Sequence, residues 1–282
     1  MFLSIVTLNI RINRILFLIN QILSRLKKKL KKELIPMNIL LDLLIVLLAY
    51  IYIFATILIP VQLKKRDKIT KFQARKAVHL FAGLAVLTSP YYSWPWFAVI
   101  IVGSMTLLTL LSSKKSKVKQ LKELYDSIGE EAEDKVGYLQ GPFHYCLSIT
   151  ILITFFVIVA PNRLYFPIAG ILLMIISDTL SSIIGKKYGK MKINLPWLKT
   201  TRTLEGSIAF FISGFILCFI AFTFFGVSNP LTQIHLTLEA ALLYSLITSA
   251  LATIVELVSP STWDDLTIPI ATVVIVFLLT LI

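Results

Sequence analysis

Long apolar stretches recur along the 282-residue chain, and they constrain its fold more than any other feature. The chain is 57% hydrophobic and only 15% charged, which leaves too little polar surface for a soluble domain of this length. A helix needs about 20 apolar residues to cross a bilayer. The stretches that approach this length are 37–60, 77–90, 94–111, 143–160, 164–184, 206–226, 236–258 and 266–282. Alternating strand patterns are absent, so the sequence predicts an all-α polytopic transmembrane bundle of about eight spans.

The connections between these stretches alternate between two kinds, which indicates their orientation. Short and nearly uncharged connections, such as "APNR", alternate with long charged ones at 64–76, 112–141 and 186–202. Helical hairpins would place all the charged connections on one face, together with the acidic connection 259–265. The excess of lysine and arginine predicts that this face is cytoplasmic. The net charge of +13 therefore fits anionic lipid headgroups, and we expect a lipid bilayer and no nucleic acid as partner.

Residues 1–36 form a basic segment ahead of the first apolar stretch, and they do not fit the hairpin scheme. The run "RLKKKLKKEL" precedes a span that would have to begin outside the cell. The segment lacks a clear apolar core and a small-residue cleavage site, a pattern unlike a signal peptide. We expect an amphipathic surface segment, with an extra crossing or a translation start at Met37 as alternatives. Residues 37–282 are predicted to form a single membrane domain.

The first polar cluster lies in "ILLMIISDTLSSIIGKKYGK", residues 171–190, where an acid interrupts an apolar run. A charge at mid-bilayer costs about 3 kcal/mol, so Asp178 needs either a partner or a function. On a helix it shares one face with two serines and Gly185, a pattern that is also typical of helix packing. Gly185 and Gly189 flank Lys186 where the helix leaves the membrane, and glycines allow backbone amides to approach phosphate closely.

The second cluster is "RTLEGS", residues 202–207, at the mouth of the next apolar stretch. Arg202 offers a permanently charged fork for phosphate oxygens, and Thr203 and Ser207 offer hydroxyl groups. Gly206 permits close approach. The same residues fit an ordinary helix start with Thr203 as the N-cap. The two interpretations overlap, because a helix N-terminus itself favours an anion.

The third cluster is "RKAVHLFAG", residues 75–83, beside the charged face. Arg75 and His79 are four residues apart and therefore lie on one side of a helix, with Lys76 next to them. These residues fit a binding site for a phosphorylated ligand. They also fit basic side chains that reach lipid headgroups beside a structural histidine.

The fourth cluster is the acidic pair Asp264 and Asp265, just before the last apolar stretch. Mg²⁺ is usually held by one or two carboxylates together with phosphate oxygens and water. Asp178 and this pair, brought together by folding, would make such a site. An acidic turn that caps the last helix is the alternative.

The connection 112–141 is the longest charged segment between the apolar stretches. Its lysines come first and its acids, "EEAED", come last. The pattern predicts an amphipathic helix at the cytoplasmic face, either solvated or acting as a lid over a site.

Taken in order, the four clusters resemble the motifs of the CTP-dependent lipid-alcohol kinases, which include dolichol kinase, phytol kinase and the yeast-type diacylglycerol kinase. The resemblance covers residues 75–269. The matching positions are Arg75, Lys76 and His79; Asp178, Gly185, Tyr188 and Gly189; Arg202, Thr203, Glu205, Gly206 and Ser207; and Asp264, Leu266 and Pro269. Ser177 replaces the usual glycine or alanine, and Asp265 stands where asparagine is common. Glu205 is closer to the dolichol-kinase form, which favours a polyprenol substrate.

The resemblance implies a multi-pass membrane kinase that transfers the γ-phosphate of CTP to a lipid alcohol, with Mg²⁺ as cofactor. The implied catalytic residues are Asp178, Glu205 and His79, and the implied metal ligands are Asp178, Asp264 and Asp265. The implied nucleotide-binding residues are Arg75, Lys76, Gly185, Lys186, Gly189, Arg202, Thr203, Gly206 and Ser207. We expect Arg75, Asp178, Arg202 and Asp264 to meet at the cytoplasmic end of the bundle.

Two other functions fit parts of the same pattern. A cytidylyltransferase that makes a CDP-lipid shares the acid-to-glycine spacing, but it typically carries a Ser-Pro-Lys-Lys lead that this chain lacks. A transporter or scaffold would use the acids as ion ligands, although no inverted repeat is evident.

Overall fold

The computed structural model describes residues 38–197, 201–228, 232–260 and 263–280. The α-helices are α1 (Ile39–Lys65), α2 (Lys71–Ala82), α3 (Trp96–Leu111), α4 (Lys119–Ile128), α5 (Gln140–Val159), α6 (Tyr165–Leu172), α7 (Asp178–Tyr188), α8 (Leu204–Phe222), α9 (Leu238–Val258) and α10 (Asp264–Leu279). The other elements are 3₁₀ segments Gly83–Tyr91 and Glu131–Asp134, π-helical turns Leu173–Ser177 and Thr223–Val227, and strands β1 (Lys192–Ile193) and β2 (Arg202–Thr203). The all-α membrane class is confirmed. The predicted amphipathic segment 1–36 lies outside the described residues.

Within the described residues, five helical stretches are long and apolar enough to cross a bilayer, so the protein is a multi-pass membrane protein. They are Ile39–Lys65, Gln140–Val159, Tyr165–Tyr188, Leu204–Val227 and Leu238–Val258. Helices α3 and α10 have 16 residues each and are shorter than these five. The total of eight spans stays a prediction.

The apolar stretch 77–90 is not one regular helix, contrary to the predicted span. Helix α2 ends at Ala82, and a nine-residue 3₁₀ segment follows. A side chain at Gly83 would collide with the Tyr145 hydroxyl and with Ile175, so this position brings α2 and α5 unusually close. The Tyr145 hydroxyl also donates a 2.8 Å hydrogen bond to the carbonyl oxygen of His79. These contacts fix the C-terminal end of α2 against the bundle.

The short connections meet at one end of the bundle, as the hairpin interpretation predicts. The backbone amide of Ile234 donates to the carbonyl oxygen of Asn162 at 2.8 Å. The amide of Leu164 donates to Gln233 Oε1 at 2.6 Å. We call this the far end. Asp42, in the first turn of α1, lies there as well.

The charged connections meet at the opposite end, which we call the charged end. Helix α4 buries Leu124 and Ile128 against the end of α1 and against Ala74 of α2. Lys65 of α1 forms a 2.6 Å ion pair with Glu123 of α4. The connection 112–141 is therefore an amphipathic helix packed on its neighbours, and not a freely solvated one.

The interior of the bundle and its outer surface are both apolar. Phe156, Phe166, Phe222 and Phe277 pack ring against ring in the core. Large apolar side chains also cover the outside, and Leu40 is 81% exposed. Apart from Tyr52 in the middle of α1, the exposed tyrosines and tryptophans of the described residues lie toward the two ends of the bundle, as in membrane proteins whose aromatic side chains sit at headgroup depth. They are Tyr91, Trp94 and Trp96 at the far end and Tyr188, Trp197 and Trp263 at the charged end.

Candidate active site

A cavity of about 660 Å³ begins among the polar clusters of the charged end. The site residues predicted from the sequence that line it are Arg75, Lys76, His79, Asp178, Gly185, Lys186, Gly189, Arg202, Thr203, Gly206, Asp264 and Asp265. Arg75, Asp178, Arg202 and Asp264 thus lie around one space, as predicted, although they are far apart in the sequence. Glu205 and Ser207 do not line it.

Asp178 is the first residue of α7, directly after the π-helical turn Leu173–Ser177. Such turns inside α-helices are frequent at functional sites, because the extra residue turns the following side chains to a new direction. Within the described part of the chain, no side chain pairs with the Asp178 carboxylate or hydrogen bonds to it. An acid in a membrane helix without a protein partner is an exception that calls for a ligand.

Asp264 and Asp265 begin α10, just before its apolar part. Burial raises the pKa of both carboxyl groups above the usual range, and the nearby charge of Asp178 raises the pKa of each further. Three acids that repel one another in this way would be stabilised by a cation. The acids and the open space between them therefore suit a divalent ion.

The described residues contain no group of three or more histidine, cysteine, aspartate and glutamate side chains that could hold a metal by themselves. This arrangement does not conflict with magnesium. The ion typically takes one or two carboxylates and completes its shell with phosphate oxygens and water. The donor set fits a metal that arrives together with a phosphorylated ligand.

Arg202 is held by two acids through its Nη atoms, while its Nε is buried without a hydrogen-bond partner among the described residues. Its Nη1 lies 2.8 Å from Glu256 Oε1, and its Nη2 lies 3.4 Å from Asp264 Oδ2. Glu256 is 1% exposed and lines the cavity. The pair joins strand β2 to α9 and α10. Glu256 was not among the predicted site residues, and the signal that could have identified it is an acid inside an apolar span.

Arg75 is likewise engaged by acids, which come from the connection 112–141. Its Nη1 donates to both carboxylate oxygens of Glu133 at 3.1 Å, and its Nε lies 3.3 Å from Glu130 Oε1. Glu133 also accepts a 2.8 Å hydrogen bond from the amide of Gly141. Because Leu124 of the same connection lines the cavity, the segment forms part of its wall.

Two other basic residues and one histidine are less constrained. Lys76 lines the cavity and forms no ion pair among the residues that the structure covers. Lys186 Nζ lies 5.7 Å from the ring centre of Phe72. His79 Nε2 is buried without a hydrogen-bond partner in the described chain and lies 4.0 Å from Asp265 Oδ1.

The glycines of the motifs bring α7 and the start of α8 together. A Cβ atom at Gly185 would lie 2.8 Å from Thr203 Oγ1, and one at Gly206 would lie 3.1 Å from the carbonyl oxygen of Ser181. Thr203 is the N-cap of α8 and accepts a 3.2 Å hydrogen bond from the amide of Gly206. The helix-start interpretation of this motif is confirmed, and the same glycines also border the cavity.

Glu205 has a different environment from the one expected of a catalytic acid. Its Oε1 accepts hydrogen bonds from the amides of Lys190 at 2.9 Å and Met191 at 3.2 Å. The side chain therefore holds the turn that follows α7, outside the cavity lining. Ser207, one turn into α8, is 5% exposed and is also outside the lining, so the catalytic role of Glu205 and nucleotide binding by Ser207 stay predictions.

Known proteins that are similar to the chain are named phytol kinase or dolichol kinase. A probable phytol kinase 2 of Glycine max is 27% identical over 220 residues, which cover 77% of this chain and 69% of the relative. Phytol kinase 1 of Arabidopsis thaliana is 27% identical over 235 residues, 80% of this chain and 72% of that protein. Dolichol kinase of Saccharomyces cerevisiae is 29% identical over 195 residues, 66% of this chain and 35% of that protein. The chain is a homologue of the phytol and dolichol kinases.

This homology confirms the resemblance to the lipid-alcohol kinases that the four motifs indicated. No family model and no solved structure matches the chain. Both alcohols named among the relatives are isoprenoids, and the two kinds of kinase match at similar identity. The form of Glu205 alone does not decide between them, because the side chain lies outside the cavity.

Proposed function

We propose that the protein is an integral-membrane kinase that transfers the γ-phosphate of CTP to an isoprenoid lipid alcohol. The observation that carries the proposal is the cavity, in which unpaired charged groups at one end continue into an apolar space. The homology to phytol and dolichol kinases supports phosphate transfer to an alcohol. CTP as the donor rests on the motif resemblance. The lysine-rich connections favour a charged end that faces the cytoplasm.

In this proposal the charged groups divide into ligands and supports. Lys76 binds the phosphates, since it lines the cavity and forms no ion pair within the described residues. Arg75 and Arg202 hold the wall and the acids in position through their ion pairs. One or two of the acids Asp178, Asp264 and Asp265 would hold Mg²⁺, and phosphate oxygens and water would complete its shell. The ion would neutralise the charge on the transferred phosphate, which is the main catalytic requirement of such reactions.

The proposed reaction requires a proton acceptor for the alcohol. The lipid hydroxyl oxygen forms a bond to the γ-phosphorus, the bond between that phosphorus and its bridging oxygen breaks, and CDP leaves. The hydroxyl proton passes to His79 Nε2, which is buried and has no hydrogen-bond partner in the described chain. Asp178 lies beside this path and orients the hydroxyl. Glu205 acts as a positioning residue, because it binds only the turn after α7.

An assay with two labels tests the proposal. Purified protein in mixed micelles receives a lipid alcohol, Mg²⁺ and CTP labelled either on the γ-phosphate or on the α-phosphate. A kinase transfers the γ label to the lipid and leaves the α label in CDP. Transfer of the α label would identify a cytidylyltransferase and would refute the proposal. No transfer to phytol, geranylgeraniol or a long polyprenol would refute it as well.

A further inference from the structure

The cavity has an apolar arm that leads away from the charged groups. The arm lies between α1, the 3₁₀ segment Gly83–Tyr91, α3 and α5. Its walls include Ile53, Val86, Ala98, Ile101, Met105 and Ile149. Five of these six side chains are at most 5% exposed, so the arm is enclosed by the bundle and is not a groove on its surface. None of the four sequence motifs supplies this part of the cavity apart from Gly83 at its entrance.

The arm runs along the membrane-spanning direction for a considerable depth. The lining residues of α3 extend from Ala98 near the far end to Thr109 near the charged end. Eleven helical steps correspond to about 17 Å, more than half of a hydrocarbon layer of about 30 Å. The lining residues nearest the far end include Thr88, whose hydroxyl lies 3.3 Å from the Tyr92 hydroxyl. Tyr92 is 1% exposed and does not line the cavity, so the lining ends near its neighbour Thr88.

The chemistry of the arm selects a hydrocarbon ligand. An apolar space of this kind offers water too few hydrogen-bond partners to be stably filled by it. Burial of hydrocarbon there is favourable by about 25 cal/mol per Å² of apolar surface. A chain in the arm would leave its polar end beside His79 and Asp178, where the arm joins the charged part of the cavity.

We propose that the arm encloses the isoprenoid chain of the alcohol, with the hydroxyl at Asp178 and the chain end toward Tyr92, so that the protein measures chain length. The inference rests on the proposed function, because the hydroxyl end must be the group that is phosphorylated. It goes further in stating that the chain lies inside the bundle and not in the surrounding bilayer. It follows that alcohols of bounded length, of the size of phytol, bind with the whole chain enclosed.

Two variants at neighbouring positions of α3 test the inference. Ile101 lines the arm and is 4% exposed, whereas Ile100 faces lipid and is 50% exposed. Phosphorylation rates are measured with geraniol, farnesol, geranylgeraniol and phytol in the same micelles. In Ile101→Trp the added ring shortens the arm, and the rate with phytol relative to geraniol should fall at least ~10-fold, the effect of about 1.4 kcal/mol. In Ile100→Trp the ratio should stay at the wild-type value.

The outcomes separate this inference from the proposed function. If wild-type protein phosphorylates the alcohols and Ile101→Trp leaves the ratio unchanged, the chain lies elsewhere and the inference is wrong while the kinase function stands. If wild-type protein phosphorylates none of them, both the proposed function and the inference are wrong. If Ile101→Trp does not fold, Ala98→Leu applies the same criterion with a smaller added side chain at a position that is 2% exposed. A lowered ratio confined to the lining variants supports the inference.

Discussion

Asp42 and Asp178 are both acids in apolar helices, but their surroundings differ at every point. Asp42 is 1% exposed at the far end and accepts three hydrogen bonds: from the amide of Ser93 at 2.9 Å, its hydroxyl at 2.7 Å and the amide of Trp94 at 2.9 Å. Asp178 borders a cavity at the charged end and has no such partner among the described side chains. The comparison separates an acid used to build the fold from an acid left available to a ligand.

The same distinction applies to the basic residues of the charged end. Arg75 and Arg202 each bind two acids of the protein, whereas Lys76 lines the same cavity without an ion pair in the described part of the chain. Sequence motifs do not make this distinction, because they give the residue type and not its partner. Variants that exchange a charge for a neutral group of similar shape can test it.

The largest effect is expected for Asp178→Asn. The substitution keeps the size of the side chain and removes the charge that we assign to metal and hydroxyl binding. Turnover should fall at least ~100-fold, which corresponds to about 3 kcal/mol in the transition state. The amount of folded protein in the membrane should stay near the wild-type level, since an amide costs less in the bilayer than an acid. Turnover within threefold of wild type would show that Asp178 has no chemical role.

The next largest effect is expected for Asp42→Asn, and on stability instead of turnover. Three hydrogen bonds to a buried carboxylate would be weakened, and the new amide group would face backbone donors. We expect a loss of about 2 kcal/mol in the free energy of unfolding, the usual contribution of hydrogen bonds to a charged group. Thermal unfolding in detergent measures this change. Turnover per folded molecule should stay within about twofold of wild type. A full loss of turnover would contradict the assignment of Asp42 to a purely structural role.

A smaller effect is expected for Lys76→Met. The substitution removes a lining cation that has no ion pair in the described chain and keeps the length of the side chain, so nucleotide binding should weaken. We expect a roughly tenfold loss in kcat/KM for CTP, about 1.4 kcal/mol. Lys187→Met is the matched control, because Lys187 is exposed, lies outside the cavity lining and has its Nζ 5.1 Å from the ring centre of Tyr188. An equal loss in both variants would mean that general basic charge, and not Lys76 in particular, attracts the nucleotide.

The smallest effect is expected for Glu205→Gln. Glutamine can still accept hydrogen bonds from the amides of Lys190 and Met191, so the turn after α7 should be retained. We expect turnover within about threefold of wild type, since only the charge-assisted part of these hydrogen bonds is lost. Steady-state kinetics at saturating CTP measures this change. A loss as large as that of Asp178→Asn would restore Glu205 as a catalytic acid and would contradict its placement.

The sequence predicted the membrane class and the meeting of four motifs at one end, because apolar length and charge alternation are local signals. It did not predict the break within 77–90, since this depends on the contact of Gly83 with Tyr145 and Ile175, which belong to other helices. The π-helical turn before Asp178 also has no local signature in the sequence.

The sequence identified residues of the candidate site but not the protein side chains that pair with them. Asp178 and Lys76 were identified by motif, and both line the cavity. Arg75 and Arg202 were predicted to bind nucleotide, which stays a prediction, but the sequence did not show that Glu133 and Glu256 pair with them from positions 58 and 54 residues away. Such pairs form only when the tertiary fold joins the segments, so residue type and spacing cannot reveal them.

The most direct test of the central claim compares three proteins in one assay. Wild type, Asp178→Asn and Asp42→Asn are adjusted to equal folded amounts and given γ-labelled CTP, Mg²⁺ and phytol. We predict that wild type and Asp42→Asn transfer the label to lipid at similar rates, and that Asp178→Asn transfers it at least ~100-fold more slowly. Transfer by Asp178→Asn at the wild-type rate, together with an inactive Asp42→Asn, would contradict the assignment of the two acids.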